Sequence, residues 1–82
     1  MPIPSLDTDG LLPSGLHRAT LGEILERFST GSELRRELGT RLDQIVALAR
    51  HVRARRMLVD GSFVTSKLDP GDLDVVIWLD LH

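Results

Sequence analysis

Two acidic residues separated by one apolar residue lie near the end of the sequence, in Asp72-Leu73-Asp74-Val75. The β-branched and aromatic residues that follow predict a strand from Asp72 to Leu79. Side chains two apart on a strand point to the same face, about 6 to 7 Å apart, so both carboxylates can converge on hard cations. Burying such a pair is costly, and bound Mg²⁺ would remove that cost and keep both groups ionised. The spacing is compatible with a divalent metal site at Asp72 and Asp74; the alternative is an ordinary turn-to-strand transition, with Asp69-Pro70-Gly71 as the turn and both acids solvated.

A glycine and a serine precede this pair, in Asp60-Gly61-Ser62, and nine residues separate Ser62 from Asp72. Gly61 has no Cβ and therefore allows close approach of the backbone to a ligand. The Ser62 hydroxyl and neighbouring N–H groups can hold a phosphate in a backbone nest. The two groups together predict a site for a metal-bound nucleotide.

The order of residues in this region resembles the signature of the DNA polymerase beta-like nucleotidyltransferase superfamily. That signature consists of an apolar residue, a Gly, a second residue that is Gly or Ser, a short loop, and then two acids on a strand. Val59, Gly61 and Ser62 fit this pattern if Asp60 is allowed between them. A closer resemblance is to short bacterial nucleotidyltransferase-like proteins. The segments that carry it are 3–7, 12–20, 60–67 and 70–76.

In that superfamily the Gly-Ser turn positions the nucleotide phosphates, and the strand carboxylates bind metals that activate the attacking hydroxyl and stabilise the leaving pyrophosphate. The resemblance therefore implies phosphate binding by Gly61 and Ser62, and catalytic metal binding, to Mg²⁺ or Mn²⁺, by Asp72 and Asp74. Lys67 in the connecting loop is a candidate to neutralise phosphate charge, although the shared pattern does not assign it that role.

The superfamily takes a third carboxylate from a later strand. Asp80 shares the face of Asp72 and Asp74 by parity, but about 20 Å of extended strand separates it from Asp74, so it cannot complete their metal site. We therefore expect residues 1–82 to form one partial nucleotidyltransferase-like domain.

Two functions follow as hypotheses. The first is nucleotidyl transfer from a nucleoside triphosphate to an unknown acceptor, with a protein or a nucleic acid as candidates. The alternative is a catalytically inactive relative acting as a protein-interaction or toxin–antitoxin-type module. A two-stranded sheet leaves its edges exposed, which predicts a homodimer.

The elements expected to position these residues give an α/β (α+β) fold, with two helices packed on a small, incomplete sheet. Thr20 and Glu23 form a capping box for a helix from Leu21 to about Phe28, and Ser32 caps a second helix. The apolar stripe of the second helix is expected to face the core, at Leu34, Leu38, Leu42, Ile45, Leu48, Ala49 and Val52. The charged residues between them are expected to face water, at Glu33, Arg35, Arg36, Glu37, Arg41 and Asp43.

The remaining segments are predicted as an arm, a short strand and a loop. Residues 1–16 are rich in Pro and Gly and should lie extended across an apolar surface, burying Ile3, Leu6, Leu11, Leu12 and Leu16. Residues 57–59 form an apolar run typical of a buried strand, and residues 63–71 are predicted as a loop.

Composition excludes several classes of protein. The 82 residues contain no Cys, which excludes disulfides and thiolate metal sites. No apolar run approaches the roughly 18 residues of a membrane span, and the N-terminus does not resemble a signal peptide, so a cytoplasmic location without membrane contact is expected. A net charge of −2 and a pI of about 5.8 argue against a protein that coats nucleic acid.

A basic cluster and three histidines have less specific interpretations. The cluster contains Arg50, His51, Arg53, Arg55 and Arg56 and either offsets the dipole of the second helix or docks phosphates. His17, His51 and His82 lack the spacing of metal ligands and are predicted to be surface or capping residues.

Overall fold

A computed structural model describes residues 3–79, which form an α+β arrangement of two helices and one two-stranded antiparallel sheet. The elements in chain order are α1 (Leu21–Phe28), α2 (Glu33–His51), β1 (Arg56–Asp60), a single 3₁₀ turn (Ser62–Val64) and β2 (Asp74–Trp78). The predicted α+β class is confirmed. The predictions that concern Asp80 and His82 lie outside the described residues.

Both helices begin at the predicted caps. The Thr20 hydroxyl accepts the Glu23 N–H at 3.1 Å, and the Ser32 hydroxyl accepts the Arg35 N–H at 3.1 Å. Each bond satisfies a backbone donor that has no partner within its helix. These local interactions explain why α1 and α2 start where the sequence predicts.

The sheet differs from prediction at the start of its second strand. β2 begins at Asp74, not at Asp72, and pairs with β1 so that Asp60 faces Asp74 and Arg56 faces Trp78. The predicted strand start at Asp72 is therefore wrong. Asp72 bonds to Ser62 instead of joining the ladder, which places it immediately before the strand.

The core lies where the two helices meet the 3₁₀ turn. Its buried residues are Phe28, Leu38, Leu42, Phe63 and Val64. Phe63 is fully buried, with its ring centroid 6.1 Å from that of Phe28. The prediction that residues 63–71 are loop throughout is thus wrong at its start, because the 3₁₀ turn drives Phe63 and Val64 into the core.

The burial of Arg35 is a further correction. This residue was expected to face water, yet it is only 5% exposed. Positions 35, 38 and 42 are three and seven residues apart, so Arg35 lies on the face of α2 that carries the core residues Leu38 and Leu42. Helical periodicity therefore outweighs residue type at this position.

The guanidinium of Arg35 is buried because it bonds to backbone carbonyls. Nη1 donates to the carbonyls of Phe28 at 2.9 Å and Phe63 at 2.8 Å. Nη2 donates to those of Thr65 and Lys67, and Nε donates to that of Lys67 at 3.0 Å. Burial lowers the pKa of Arg35, and the negative charge of Asp69 opposes this shift. Arg35 thus connects α1, α2 and the segment after β1.

Two apolar residues near the end of α2 are exposed instead of buried. Leu48 is 60% exposed and Val52 is 50% exposed, so the predicted stripe faces the core only in part. Ala49 between them is buried. The core therefore contacts one side of the predicted stripe and leaves its other flank uncovered.

The N-terminal arm lies on the core, as predicted, but only partly. Ile3, Leu6 and Leu12 pack against the core cluster, while Leu11 and Leu16 are exposed, contrary to prediction. Arg27 of α1 donates to two backbone carbonyls of the arm, that of Ile3 at 3.1 Å and that of Pro4 at 3.0 Å. Within residues 3–79, no helix has the length and apolar character required to cross a bilayer.

Candidate functional site

The candidate site forms where β1 ends and β2 begins. Gly61 follows β1 with φ +92° and ψ −177°, a conformation that residues with a Cβ rarely adopt. A Cβ at Gly61 would lie 3.0 Å from both the carbonyl oxygen and Oδ2 of Asp72, and 3.1 Å from the N of Asp74. Glycine is therefore required here because the chain just before β2 packs directly against it.

Ser62 and Asp72 bind each other through hydrogen bonds that involve both the backbone and the side chain of each residue. The Ser62 hydroxyl donates to Asp72 Oδ1 at 2.6 Å, and the Ser62 N–H donates to the same oxygen at 2.9 Å. The Asp72 N–H in turn donates to the Ser62 hydroxyl oxygen at 3.1 Å. The structure thus brings together the two halves of the sequence pattern, the Gly-Ser turn and the paired acids.

The pKa values of Asp72 and Asp74 shift in opposite directions. The hydrogen bonds from Ser62 hold the pKa of Asp72 below its usual range, because they stabilise the ionised carboxylate. The negative charge of Asp72 raises the pKa of Asp74. Both residues are exposed. At neutral pH the site therefore presents two neighbouring carboxylates to water, and a bound cation would relieve the repulsion between them.

Asp60 is a third acidic residue near the pair, and in the sequence pattern it is only a tolerated insertion between Val59 and Gly61. It faces Asp74 across the ladder, and its charge contributes to the raised pKa of Asp74. Paired residues of an antiparallel ladder point to the same face, so the strand register was the signal that identifies it. Within residues 3–79, however, no three acidic, His or Cys side chains form a group that could hold a metal ion.

The phosphate-binding candidates are engaged within the protein. The N–H groups of Phe63, Val64 and Thr65 donate to the carbonyls of Asp72, Gly61 and Ser62, respectively. The N–H and hydroxyl of Ser62 both point to Asp72. A phosphate at this turn would therefore have to share or displace the bonds between Ser62 and Asp72.

Lys67 is exposed, and its positive charge contributes to the lowered pKa of Asp72. Its carbonyl accepts hydrogen bonds from the buried Arg35, so its backbone is fixed although its side chain faces solvent. Lys67 is therefore placed to act electrostatically on an anion near Asp72.

Arg56, the last residue of the basic cluster, lies at the other end of the sheet. Arg56 faces Trp78, four residues along β1 from Asp60, which corresponds to about 13 Å of strand. The Arg56 guanidinium lies 5.9 Å from the Trp78 ring centroid. Arg50 and His51 occupy the last turn of α2. The Arg56 end of this cluster is thus remote from the carboxylates.

The histidines described in the structure occupy unrelated positions. His17 Nε2 lies 2.7 Å from the carbonyl oxygen of Pro13 within the arm, and His51 is the last residue of α2. Neither belongs to the group formed by Ser62, Asp72 and Asp74.

Comparison with curated proteins and with solved structures found no match. A family model does match, over residues 4–82, and this range includes most of the arm, both helices, both strands and every residue of the candidate site. The chain therefore belongs to the family of unknown function DUF6932.

Proposed function

We propose that this chain is a nucleotidyltransferase-like domain that binds a metal-bound nucleoside triphosphate for nucleotidyl transfer. The observation that carries the proposal is the contact between Ser62 and Asp72 across the Gly61 turn, with Asp74 exposed beside it. This contact joins a Gly-Ser turn to a pair of acids, as the resemblance to nucleotidyltransferases leads us to expect.

The donor set of Asp72 and Asp74 fits a hard divalent cation such as Mg²⁺ or Mn²⁺. Both ligands are carboxylates, both are open to solvent, and their mutual repulsion raises the pKa of Asp74. Two carboxylates leave coordination positions for water and phosphate oxygens, as is usual for Mg²⁺ bound with a nucleotide. When bound, the metal would polarise a phosphoryl oxygen and neutralise developing charge.

The protein's own groups have separable roles in this proposal. Ser62 holds the Asp72 carboxylate ionised and fixes its orientation. Lys67 supplies a positive charge close enough to Asp72 to lower its pKa, and that charge would attract a triphosphate. Gly61 allows the close approach that the Ser62–Asp72 contact requires.

A second candidate function is a non-catalytic interaction module. The observation that favours it is that the N–H groups of Ser62, Phe63 and Val64 already donate hydrogen bonds to acceptors within the protein. These groups are therefore engaged without a phosphate. A module of this kind would keep the Ser62–Asp72 contact as a structural link and would not bind nucleotide.

Calorimetry with Mg²⁺ alone and with Mg²⁺ and ATP tests the proposal. We expect weak binding of the metal, tighter binding when ATP is present, and at least about a tenfold loss of affinity in Asp72→Asn and in Asp74→Asn. Asp43→Asn, at an exposed position on α2, is the matched control and should bind as the wild type does.

Equal metal affinity in the wild type and both site variants would exclude this metal site. Transfer of a labelled nucleotide to a panel of protein and nucleic-acid acceptors separates the two functions. Transfer that depends on Asp72 and Asp74 supports the enzyme, whereas a protein that binds neither metal nor nucleotide supports the interaction module.

A further inference from the structure

Within the described residues, 3–79, one face of the sheet is uncovered. Val59 and Val75 pack against the core, so the alternate residues of both strands point away from the helices. This outer face carries Arg56, Leu58, Asp60, Asp74, Val76 and Trp78. Val76 is 47% exposed and Trp78 is 43% exposed, so the apolar part of the outer face is most open on β2.

The edge of β2 is also open. Among residues 3–79, β2 pairs with β1 alone. In an antiparallel pair each strand directs only alternate N–H and C=O groups to its partner, and the others point outward. An unprotected edge of this kind is a template for pairing with another strand.

A flank of α2 is uncovered on the side away from β1. Val46 and Arg50 line a groove with Met57 and Val59 of β1. Helical geometry places Leu48 and Val52 on the opposite flank of the buried Ala49, and both are exposed.

We propose that the free edge of β2 pairs with β2 of a second copy of this chain, antiparallel about a twofold axis at Val76. Three considerations select this register from the many that an open edge allows.

The first consideration is the alternation of faces. Apolar residues of one outer face meet those of the other only if even-numbered residues oppose even-numbered residues. Placing Val76 opposite itself satisfies this condition and pairs all five residues of β2 with all five of the second copy, from Asp74 to Trp78. A shift by two positions in either direction keeps the faces aligned but leaves part of the strand unpaired.

The second consideration is charge. In this register Asp74 lies opposite Trp78 of the second copy. Within each copy the Arg56 guanidinium lies 5.9 Å from the centroid of the Trp78 ring. The acidic end of each sheet therefore meets the basic end of the other, and the acidic ends stay apart. Opposite charges on neighbouring strands stabilise a sheet, whereas a parallel arrangement would place Asp74 beside its own copy.

The third consideration is apolar continuity. Leu58 faces Val76 within one copy, so the pairing produces an unbroken row of Leu58, Val76, Val76 and Leu58 across four strands. A twofold dimer is the commonest closed assembly, and it covers the open edge on both copies at once. The interface thus joins the free edge and the exposed apolar residues of β2 in one contact.

Cysteine cross-linking tests the register directly, because the chain has no native Cys. Residues that face each other across a twofold axis have Cβ atoms about 5 Å apart, within reach of a disulfide. Val76→Cys should form a covalent dimer on oxidation. The control is Leu16→Cys, at an arm position that is 83% exposed and should stay largely monomeric. Equal cross-linking of the two variants, or none in Val76→Cys, would overturn the register.

Sedimentation tests the interface without a covalent link. The wild type should sediment at twice its mass of 9.1 kDa and Val76→Lys at the monomer mass, with the circular dichroism unchanged. Leu68→Lys, at an exposed loop position, should remain a dimer. A wild type that stays monomeric, or a folded Val76→Lys that stays dimeric, contradicts the proposal.

A charge exchange covers the case in which Val76→Lys fails to fold. Arg56→Asp should raise the dimer dissociation constant about tenfold, and adding Asp74→Arg should restore it, because the pair of opposite charges is then re-formed across the interface. If the double variant does not recover the dissociation constant of the wild type, the antiparallel orientation is excluded. Both cross-linking and sedimentation keep Asp72 and Asp74 in place, so they report on association independently of metal binding.

Discussion

Ser62 directs both its hydroxyl and its backbone N–H to one oxygen of Asp72, ten residues later in the chain. The contact closes the segment between the strands and fixes the carboxylate that precedes β2. Hydrogen bonds to a charged acceptor are among the stronger ones, and here both donors come from one residue. The Ser62–Asp72 contact is therefore the structural centre of the candidate site.

Ser62→Ala should raise the pKa of Asp72 towards the usual range. The substitution removes the hydroxyl donor and keeps the backbone donor, so we expect only part of the shift to be lost. Asp72 contributes stability that is present above its unfolded pKa and is lost as the pH falls through its folded pKa. The variant should therefore lose less stability on acidification than the wild type. NMR titration of the carboxyl carbons measures the pKa, and Ser66→Ala, in the same loop, should leave it unchanged.

Asp74→Asn should stabilise the protein at neutral pH when no divalent metal is present. Asp72 raises the pKa of Asp74, which means that folding disfavours the ionised form of Asp74. A raised carboxyl pKa contributes stability below the unfolded pKa, and that contribution is lost as the pH rises through the folded pKa. The midpoint of thermal unfolding should thus rise in the variant at pH 7 but not at a pH below both pKa values.

Asp43→Asn, on α2, is the control for Asp74→Asn and should show no such pH-dependent difference. Mg²⁺ should reverse the order of stability, because it binds the folded wild type and relieves the same repulsion. A variant that is less stable than the wild type at pH 7 without metal would contradict the electrostatic interpretation of Asp74.

Gly61→Ala should destabilise the fold by about 3 kcal/mol, since it combines a disfavoured backbone conformation with contacts at 3.0 Å to Asp72. Gly15→Ala separates the two effects. Gly15 also has a positive φ, of +112°, but a Cβ there would meet nothing within 4 Å, so this variant should lose only about 1 kcal/mol. Urea unfolding of the two variants gives the comparison, and equal losses would show that the contact with Asp72 is unimportant.

The features that the sequence predicted well are those encoded by neighbouring residues. Thr20 and Ser32 are side-chain caps within three residues of the groups they satisfy, so the starts of both helices were predictable. The existence of both strands followed from short apolar and β-branched runs. The pairing of acids with a Gly-Ser turn was also visible, although its support came from resemblance.

The features that were missed depend on residues far apart in the chain. The start of β2 is set by the bonds of Asp72 to Ser62, and the role of Asp60 depends on a strand register that no local pattern specifies. Leu48 was predicted to be buried because it fits the helical stripe, but it is 60% exposed. Tertiary contacts decided each of these cases.

Arg35 provides the last prediction because it links the core to the loop that carries Lys67. Arg35→Met should lower the free energy of unfolding by about 3 kcal/mol, since the carbonyls of Phe28, Phe63, Thr65 and Lys67 lose a shared buried donor. The stability of Arg35→Lys should lie between that of the wild type and that of Arg35→Met, because an ammonium group cannot reproduce the planar fork of a guanidinium. Arg36→Met, at an exposed position on the same helix turn, should change stability by less than about 0.5 kcal/mol.

Hydrogen exchange distinguishes a local effect of Arg35 from a general loss of stability. The N–H groups of Thr65 and Lys67 donate to the Ser62 carbonyl and the Thr65 hydroxyl, and Arg35 binds the carbonyls of these same two residues. Their amides should therefore lose protection in Arg35→Lys beyond the loss in α2. Ser62 lies at the start of the same segment, and its carbonyl accepts the Thr65 hydroxyl at 2.6 Å. Loosening of the loop should therefore also raise the pKa of Asp72 in Arg35→Lys, and an unchanged pKa would show that the Ser62–Asp72 contact is independent of the arginine.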